Sequence, residues 1–279
     1  MNKNILLPTD FSDNAWRAAS YILQLYAKDS CTFYFIHAAK LKVSSAAIRS
    51  NKLSTIMAEN NKLELNELVE KAKKSYPNNK HEFKIVLSPE DLQDAILQAI
   101  QTFKINLVVM GTKGASKAKG IFFGSNTVAS ILKIKDCPIL IVPEESVFKS
   151  PEQIAFPTDF NRFYGEELEP IIRWSSHFKA RIRVVHINEK ENLTPIQETN
   201  LDQLKKVMES QLHSFHWMRD YDNVEQGVKD FIDIHDIQIL AMVNYKHSFL
   251  ENLINEPIIK KLGFKTTIPF LIVPCVTEK

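Results

Sequence analysis

Residues 5–11 (ILLPTDF) return as residues 154–160 (IAFPTDF), and this repetition decides the fold of the 279-residue chain. A second run, at 138–143 (PILIVP), returns at 269–274 (PFLIVP). The offset is 149 residues for the first match and 131 for the second, so the second copy is 17–18 residues shorter. Ordered matches of this kind indicate one supersecondary unit that occurs twice.

Each copy alternates short apolar runs with amphipathic segments, which predicts alternating strands and helices. In the first copy the predicted strands are 3–8, 31–38, 80–87, 106–110 and 138–142, and the predicted helices are one capped by Ser12 or Asp13 and those at 52–75, 91–102 and 125–134. Such alternation forms a parallel sheet with helices on both faces. The fold class is therefore α/β: two tandem doubly wound, five-stranded parallel-sheet domains, at 1–146 and 151–279, with a flavodoxin-like or related strand order. We expect their last strands to pair, which makes an intramolecular pseudo-dimer and covers two sheet edges.

The composition excludes several protein classes. Lys plus Arg is 35 and Asp plus Glu is 33, so the net charge of +2 gives no general attraction to nucleic acid or to an anionic membrane. The three cysteines, Cys31, Cys137 and Cys275, form no Cys-x-x-Cys pair, and we expect them to be small core residues. No signal peptide or membrane span is evident, so we expect a cytoplasmic protein.

Glycine is concentrated in one place. The chain has 7 glycines, and Gly111, Gly114, Gly120 and Gly124 lie in one short window. That window follows a predicted strand and precedes a predicted helix, with the spacing Gly-x2-Gly-x9-Gly-Ser. Glycine lets the backbone turn sharply and approach a ligand, and a Gly-Ser pair at a helix N-terminus is suited to binding an anion. Positive charge in the same loop comes from Lys113, Lys117 and Lys119.

Together with Pro8-Thr9-Asp10 after the first strand, this pattern resembles the nucleotide-binding motif of the universal stress protein family. The resemblance covers both copies and is specific in the first. It implies an adenine nucleotide alpha hydrolase-like sandwich that binds ATP, with or without Mg²⁺. Transferred to this sequence, it implies contacts to the base and ribose at Pro8, Thr9, Asp10 and Ala38, to the ribose and phosphates at Met110, Gly111 and Gly114, and to the phosphates at Gly124, Ser125, Asn126 and Thr127.

The second copy departs from this motif. Val243 replaces Gly111, Lys246 replaces Gly114, and Glu256 lies where Gly-Ser should occur. A carboxylate would repel phosphate, and β-branched residues tolerate positive φ poorly. Asp159 remains, and we expect it to cap the next helix. The sequence therefore predicts one competent site, in the first copy.

Structural roles compete with these functional interpretations. The glycines could simply make a flexible loop, and Asp10 could be a helix N-cap. His37 and His186 recur in both copies, so we expect hydrogen-bonded structural residues. His213 and His216 lie three apart on a predicted helix, where they could share a metal, but no third ligand is evident and we expect ordinary packed or solvated side chains.

The family resemblance and the missing enzyme motifs lead to one main hypothesis. No Walker loop, nucleophile elbow or His-Glu-x-x-His motif occurs, and no acid–base pair flanks the glycine window. We expect an ATP-binding stress-response regulator with at most weak hydrolysis and a protein partner of unknown identity, acting alone or as a homodimer. The alternatives are a slow ATPase or nucleotidyl-transferring enzyme, and a nucleotide-free scaffold for protein interactions.

Overall fold

The chain folds into two compact units, the first ending at Glu144 and the second continuing from Glu145. The structure, a computed structural model, describes residues 3–39, 47–112, 123–187, 192–219, 221, 223–245 and 267–275, with the backbone alone at 47–54. Several residues singled out above lie outside this description: Gly114, Gly120, the three loop lysines, Lys246 and Glu256.

The first unit is a parallel sheet of five strands flanked by helices. Its elements are β1 (Lys3–Pro8), α1 (Asp13–Leu25), β2 (Cys31–Ala38), α2 (Ala47–Ser75), β3 (His81–Ser88), α3 (Leu92–Phe103), β4 (Leu107–Gly111), α4 (Ser125–Lys133) and β5 (Ile139–Val142). The strand order is β3-β2-β1-β4-β5, and β1 pairs with both β2 and β4. The winding direction reverses between β1 and β4. Right-handed crossovers then put α1 and α2 on one face of the sheet and α3 and α4 on the other.

The five predicted strands of this unit are confirmed within one residue at each end. Four of them contain continuous apolar runs, which mark buried strands clearly, and edge strand β3 alternates polar and apolar residues before the apolar run Ile85–Leu87. The strand order is 3-2-1-4-5, which is a doubly wound order related to, but different from, the flavodoxin-like order 2-1-3-4-5.

Two helix starts differ from expectation. The long helix α2 begins at Ala47, five residues before the predicted start. Proline is favoured near the first helical position, so we expect Pro89 to open the helix at 91–102. Instead Pro89 lies outside α3, in a bend where the Ser88 hydroxyl accepts from Glu90 N–H at 3.2 Å, and Asp91 holds the N-cap position.

The second unit repeats this architecture. Its elements are β6 (Gln153–Pro157), a 3-10 turn (Glu166–Leu168), α5 (Glu169–Phe178), β7 (Arg181–Ile187), α6 (Pro195–Met208), β8 (His213–Met218), α7 (Val224–Ile234), β9 (Ile239–Asn244) and β10 (Phe270–Pro274). The strand order is β10-β9-β6-β7-β8, so the first strand of this unit, β6, again lies between the second and the fourth. Helix α6 has 14 residues where α2 has 29, so the shortening of the second copy falls largely here.

One secondary-structure prediction in this unit was wrong. His213 and His216 lie on strand β8 and not on a helix. The segment reads His-Ser-Phe-His-Trp-Met, in which aromatic residues alternate with polar ones, as on a half-buried edge strand. Residues three apart on a strand project from opposite faces of the sheet, so these two side chains do not share a metal ion.

Two of the three cysteines are core residues, as expected. Cys31 and Cys137 are buried, and burial raises the pKa of each thiol to about 12. Cys275 differs, because it is half-buried and its Sγ accepts a hydrogen bond from Arg162 Nη1 at 2.9 Å. No helix in the part of the chain described combines the length and the apolar character that crossing a bilayer requires.

Gly227 shows how tightly helix α7 packs on the sheet of the second unit. A Cβ at Gly227 would lie 2.8 Å from Ile187 Cγ2. Gly→Ala inside a helix ordinarily gains about 1 kcal/mol, whereas overpacking a core costs about 1–3 kcal/mol. We expect overpacking to dominate, so that Gly227→Ala lowers the free energy of unfolding by about 1–2 kcal/mol in urea denaturation.

Gly165→Ala is the matched control for this prediction. Its added Cβ would approach the ring of Phe163 at 3.3 Å, which is exposed and can move away, and would make ordinary van der Waals contact with Glu167 Oε2 at 3.6 Å. We expect a change within about 0.5 kcal/mol for this control. Equal effects of the two substitutions would contradict the assignment of Gly227 to close helix–sheet packing.

Candidate functional site

A cleft lies at the carboxyl ends of β1 and β4, where the winding of the first unit reverses. Ligands of doubly wound sheets bind at such a switch point. The cleft has a cavity volume of about 120 Å³ and is open to solvent. Its lining comes from the ends of β1, β2 and β4 and the starts of α1, α3 and α4: Pro8, Thr9, Asp10, Ala15, His37, Ala38, Leu92, Met110, Gly111, Asn126 and Thr127.

The corner after β1 forms one wall of the cleft. Thr9 N–H donates to Ile36 O at 2.9 Å and so continues the β1–β2 ladder by one bond. The chain then turns sharply at Phe11, which has a φ of 62°. The Thr9 hydroxyl accepts from Phe11 N–H at 3.0 Å, and Asp10 Oδ1 accepts from Ser12 N–H at 3.2 Å. Ser12 is the N-cap of α1, so the predicted alternative of Asp10 as the helix cap is wrong.

His37 holds this corner in place. Its Nδ1 lies 2.8 Å from Thr9 O, and because a carbonyl oxygen only accepts, Nδ1 carries the proton. The His37 ring also lies against Phe11, with centroids 4.6 Å apart. The second unit has the same corner, with His186 Nδ1 2.8 Å from Thr158 O, and Phe160 at a φ of 57° against the His186 ring. The structural role predicted for the two histidines is therefore confirmed.

Gly111, at the end of β4, is required for a reason the sequence does not reveal. We expected glycine to serve a sharp turn, but its φ is not in the left-handed region. Instead, a Cβ at Gly111 would lie 2.8 Å from the side chain of buried Asn14, in the first turn of α1. The glycine thus lets β4 and α1 approach closely at the floor of the cleft. In the second unit Val243 occupies this position.

The start of α4 forms the opposite wall and is tied back to β4. Gly124 N–H donates to Thr112 O at 2.6 Å, and the Thr127 hydroxyl donates to Gly111 O at 3.0 Å. These two bonds join the ends of the glycine window. They use the Gly124 N–H and the Thr127 hydroxyl proton, so neither group is available to donate to a phosphate. Ser125 and Asn126 are exposed.

The remaining N–H groups of the first turn of α4 have no carbonyl partner within the helix, and the positive end of the helix dipole lies there. Helix α3 begins beside it, since Leu92 lines the cleft and Gln93 Nε2 lies 3.4 Å from Asn126 O. Together with the start of α1, three helix N-termini therefore border the cleft. This arrangement favours an anionic group even without a cationic side chain.

Most of the predicted site residues lie together. Eight line the cleft: Pro8, Thr9, Asp10, Ala38, Met110, Gly111, Asn126 and Thr127. Gly124 and Ser125 lie at the N-cap and first position of α4, and Gly114 lies outside the described residues. Sequence reasoning missed Ala15 and Leu92, whose only signal was their position at a helix start, and took His37 only as structural. Among the described lining residues Asp10 is the single carboxylate, so they supply no carboxylate pair for acid–base catalysis.

In the second unit two tyrosines cover the corresponding corner. Tyr164 Oη lies 3.1 Å from Thr158 Oγ1 and 3.2 Å from Tyr245 Oη. Tyr245 Oη in turn donates to Asp159 Oδ1 at 3.4 Å. Burial raises the pKa of Tyr164 to about 12, so this hydroxyl stays protonated and acts as a neutral hydrogen-bonding group. Thr9 and Asp10 border an open cleft in the first unit. Their counterparts in the second unit, Thr158 and Asp159, are instead covered by the two tyrosine side chains.

Arg162 completes this closure. Its guanidinium lies over the rings of Tyr164 and Tyr245, 5.5 Å and 4.8 Å from their centroids, and pairs with Glu167 at 2.6 Å. We expected Asp159 to cap the next helix, and this prediction is wrong. Its carboxylate accepts from the N–H and the side-chain amide of Asn161, both at 2.9 Å, because the chain turns there well before the first helical residue, Glu166.

Comparisons with known proteins place this geometry in context. The model of the universal stress protein family matches residues 1–143. A universal stress protein from Archaeoglobus fulgidus DSM 4304 has a similar structure, with 17% identity, a TM-score of 0.68, and coverage of 97% of this chain and 96% of that one. A protein from Pseudomonas aeruginosa PAO1 has 11% identity and a TM-score of 0.57, with 98% and 92% covered.

The cytoplasmic domain of a prokaryotic cation chloride cotransporter is also similar, with 12% identity, a TM-score of 0.51, and 98% and 96% of the two chains covered. At these identities the likeness shows the fold alone. A comparison with curated proteins gave no match.

Proposed function

The chain belongs to the universal stress protein family, and from this premise we propose that it is a cytoplasmic ATP-binding regulatory protein with one competent nucleotide site, in its first unit. The carrying observation is the difference between the two units at the same corner. The first unit has an open cleft there, lined by eight of the eleven residues predicted for the site. The second has the same backbone corner but fills it with Tyr164 and Tyr245.

The cleft of the first unit offers suitable groups for each part of ATP. The last residue pair between β1 and β2 is Pro8 with Ile36, so Ala38 lies beyond the paired part of these strands. Its backbone groups on the side of the cleft can therefore form hydrogen bonds to adenine. Gly111 presents no side chain to the cleft. The start of α4 offers N–H groups and a dipole to the phosphates, and exposed Asn126 adds a side-chain amide.

These residues favour binding over turnover. Rapid hydrolysis needs a base that positions water and a well-held metal ion. Asp10 could supply one carboxylate, but its Oδ1 already accepts from Ser12 N–H. We therefore propose ATP as a ligand that stabilises one conformation, with at most weak hydrolysis. Pairing of the two units as a pseudo-dimer, and any homodimer, remain predictions.

Calorimetry of the full chain with ATP tests the proposal, and we expect one ATP per chain. Mass spectrometry of the denatured protein should also find copurified adenine nucleotide. Two ATP molecules per chain would show that the second unit is not closed. No binding of ATP, ADP or AMP would overturn the proposal in favour of a protein-interaction scaffold. Phosphate release at about 1 s⁻¹ or faster would identify an enzyme instead.

A further inference from the structure

A cluster of basic side chains lies on the second unit, apart from the corner that the tyrosines close. Arg181 and Arg183 lie on β7, His216 lies on β8, and His235 follows the last residue of α7. Arg183 Nη1 lies 3.2 Å from His216 Nε2, and the rings of His216 and His235 have centroids 4.7 Å apart. All four are half-buried, so they are held in place but remain open to solvent. We call these four residues the basic cluster.

No carboxylate of the described residues pairs with the two arginines. Arg183 Nε donates to the neutral Gln153 Oε1 at 2.8 Å, and Arg181 Nη1 donates to His213 O at 3.2 Å. A guanidinium has five N–H donors, so each arginine keeps donors beyond these bonds. Other cations of this unit do have acidic partners, such as Arg173 with Glu169.

The nearby carboxylate of Asp236 is itself engaged, because it pairs with Lys149 at 2.8 Å. The charges of the basic cluster therefore oppose one another. Burial lowers the pKa of His216, and His235, Arg183 and Arg181 lower it further. Burial and then Arg183 lower the pKa of His235.

The hydrogen bonds of His216 suggest what the cluster would accept. Arg183 can only donate, so His216 Nε2 accepts from it and the ring is neutral in this arrangement. Ser214 Oγ also lies 2.8 Å from the same nitrogen. A proton on Nε2 would break the bond to Arg183. Both groups would then be donors, and the ring of His235 lies beside His216.

We propose that the basic cluster binds a tetrahedral dianion, namely inorganic phosphate, sulfate or the phosphate group of an ester. The anion would supply the negative charge that the cluster lacks and accept charge-assisted hydrogen bonds from Arg183, Arg181 and protonated His216. Binding raises the pKa of His216 and His235, so it takes up protons and strengthens as the pH falls from 8 to 6. This site is independent of the proposed nucleotide site.

Sulfate is the first probe, because it stays a dianion throughout this pH range. The Cε1 protons of the histidines are followed by NMR in the full chain, in sulfate and in chloride at matched ionic strength. We expect the pKa of His216 and His235 to rise in sulfate while the other histidine signals stay unmoved, and the affinity to be about tenfold higher at pH 6 than at pH 8. Identical titrations in the two salts would overturn the proposal.

Variants separate a specific site from general screening. Arg183→Gln should weaken sulfate binding at least about tenfold, because it removes a charged donor. Arg173→Gln removes the same charge from an exposed ion pair on α5 and should leave binding unchanged. An equal loss in both variants would show only diffuse attraction and refute the site. If Arg183→Gln does not fold, His235→Gln gives the same comparison.

Two further titrations identify the source of the anion, using inorganic phosphate and glycerol 3-phosphate at equal concentration. If glycerol 3-phosphate moves the His216 and His235 signals as strongly as inorganic phosphate does, esterified phosphate fits the site. If only inorganic phosphate does so, the ligand is the free ion. Failure of both, with sulfate also inactive, would refute the proposal without affecting ATP binding in the first unit.

Discussion

Gly111→Val is expected to weaken ATP binding by about ten- to a hundredfold, since overpacking a tightly packed site costs about 1–3 kcal/mol and Gly111 lines the cleft. The first added atom, Cβ, would lie 2.8 Å from the side chain of Asn14. Asn14 is short and buried, so it cannot swing aside cheaply. The end of β4 or the start of α1 must then move, and both border the cleft.

Calorimetry with ATP measures this loss, and circular dichroism checks that the variant is folded. Val243→Ala is the matched control, because it alters the corresponding position of the second unit and should leave binding unchanged. Gly111→Ala alone and with Asn14→Ala isolates the clash, since the second substitution removes the atoms that the new Cβ meets. Normal ATP binding by Gly111→Val would exclude the cleft as the nucleotide site.

Tyr164→Ala is expected to lower the free energy of unfolding by about 3–5 kcal/mol, the usual cost of deleting a buried aromatic ring. Tyr164 is only 2% exposed and meets Phe156 edge to face, with centroids 5.2 Å apart. Tyr164→Phe keeps the ring and removes the hydroxyl. It should cost about 1–2 kcal/mol, because Thr158 and Tyr245 each lose a hydrogen-bond partner.

Urea denaturation measures both variants. A loss below about 0.5 kcal/mol for Tyr164→Ala would show that the tyrosine does not fill a packed space. We expect the ATP stoichiometry to stay at one per chain, since Val243 and Tyr245 still occupy the second unit. A second bound ATP in Tyr164→Ala would contradict this and would make Tyr164 the sole barrier to binding.

Much of the fold could be predicted from the sequence because buried parallel strands appear as uninterrupted apolar runs. The repeated Pro-Thr-Asp-Phe segment likewise indicated a unit that occurs twice, and the structure has the same corner in both units. Edge strand β8 could not be predicted in this way. It is half-buried and lacks such a run, and the spacing of His213 and His216 also fits one face of a helix.

The site was predictable where it is made of consecutive residues and not where it depends on packing. Leu92 enters the cleft because α3 begins beside α4, which no local pattern of the sequence indicates. The clash between Gly111 and Asn14 joins two distant segments. The sequence of the second copy shows that the glycines are absent. It does not show that two tyrosines cover the corner, because Tyr164 and Tyr245 meet only in the folded chain.

The corner made by His37 with Thr9, and again by His186 with Thr158, does not depend on an open cleft. It is present in the second unit, where Tyr164 and Tyr245 cover it, so the corner by itself does not mark a ligand site. A search that counts sites by the Pro-Thr-Asp-Phe segment would assign this chain two. For protein engineering the second unit already has this corner, and building the proposed nucleotide site there would concern the end of β9 and the two tyrosines that cover the corner.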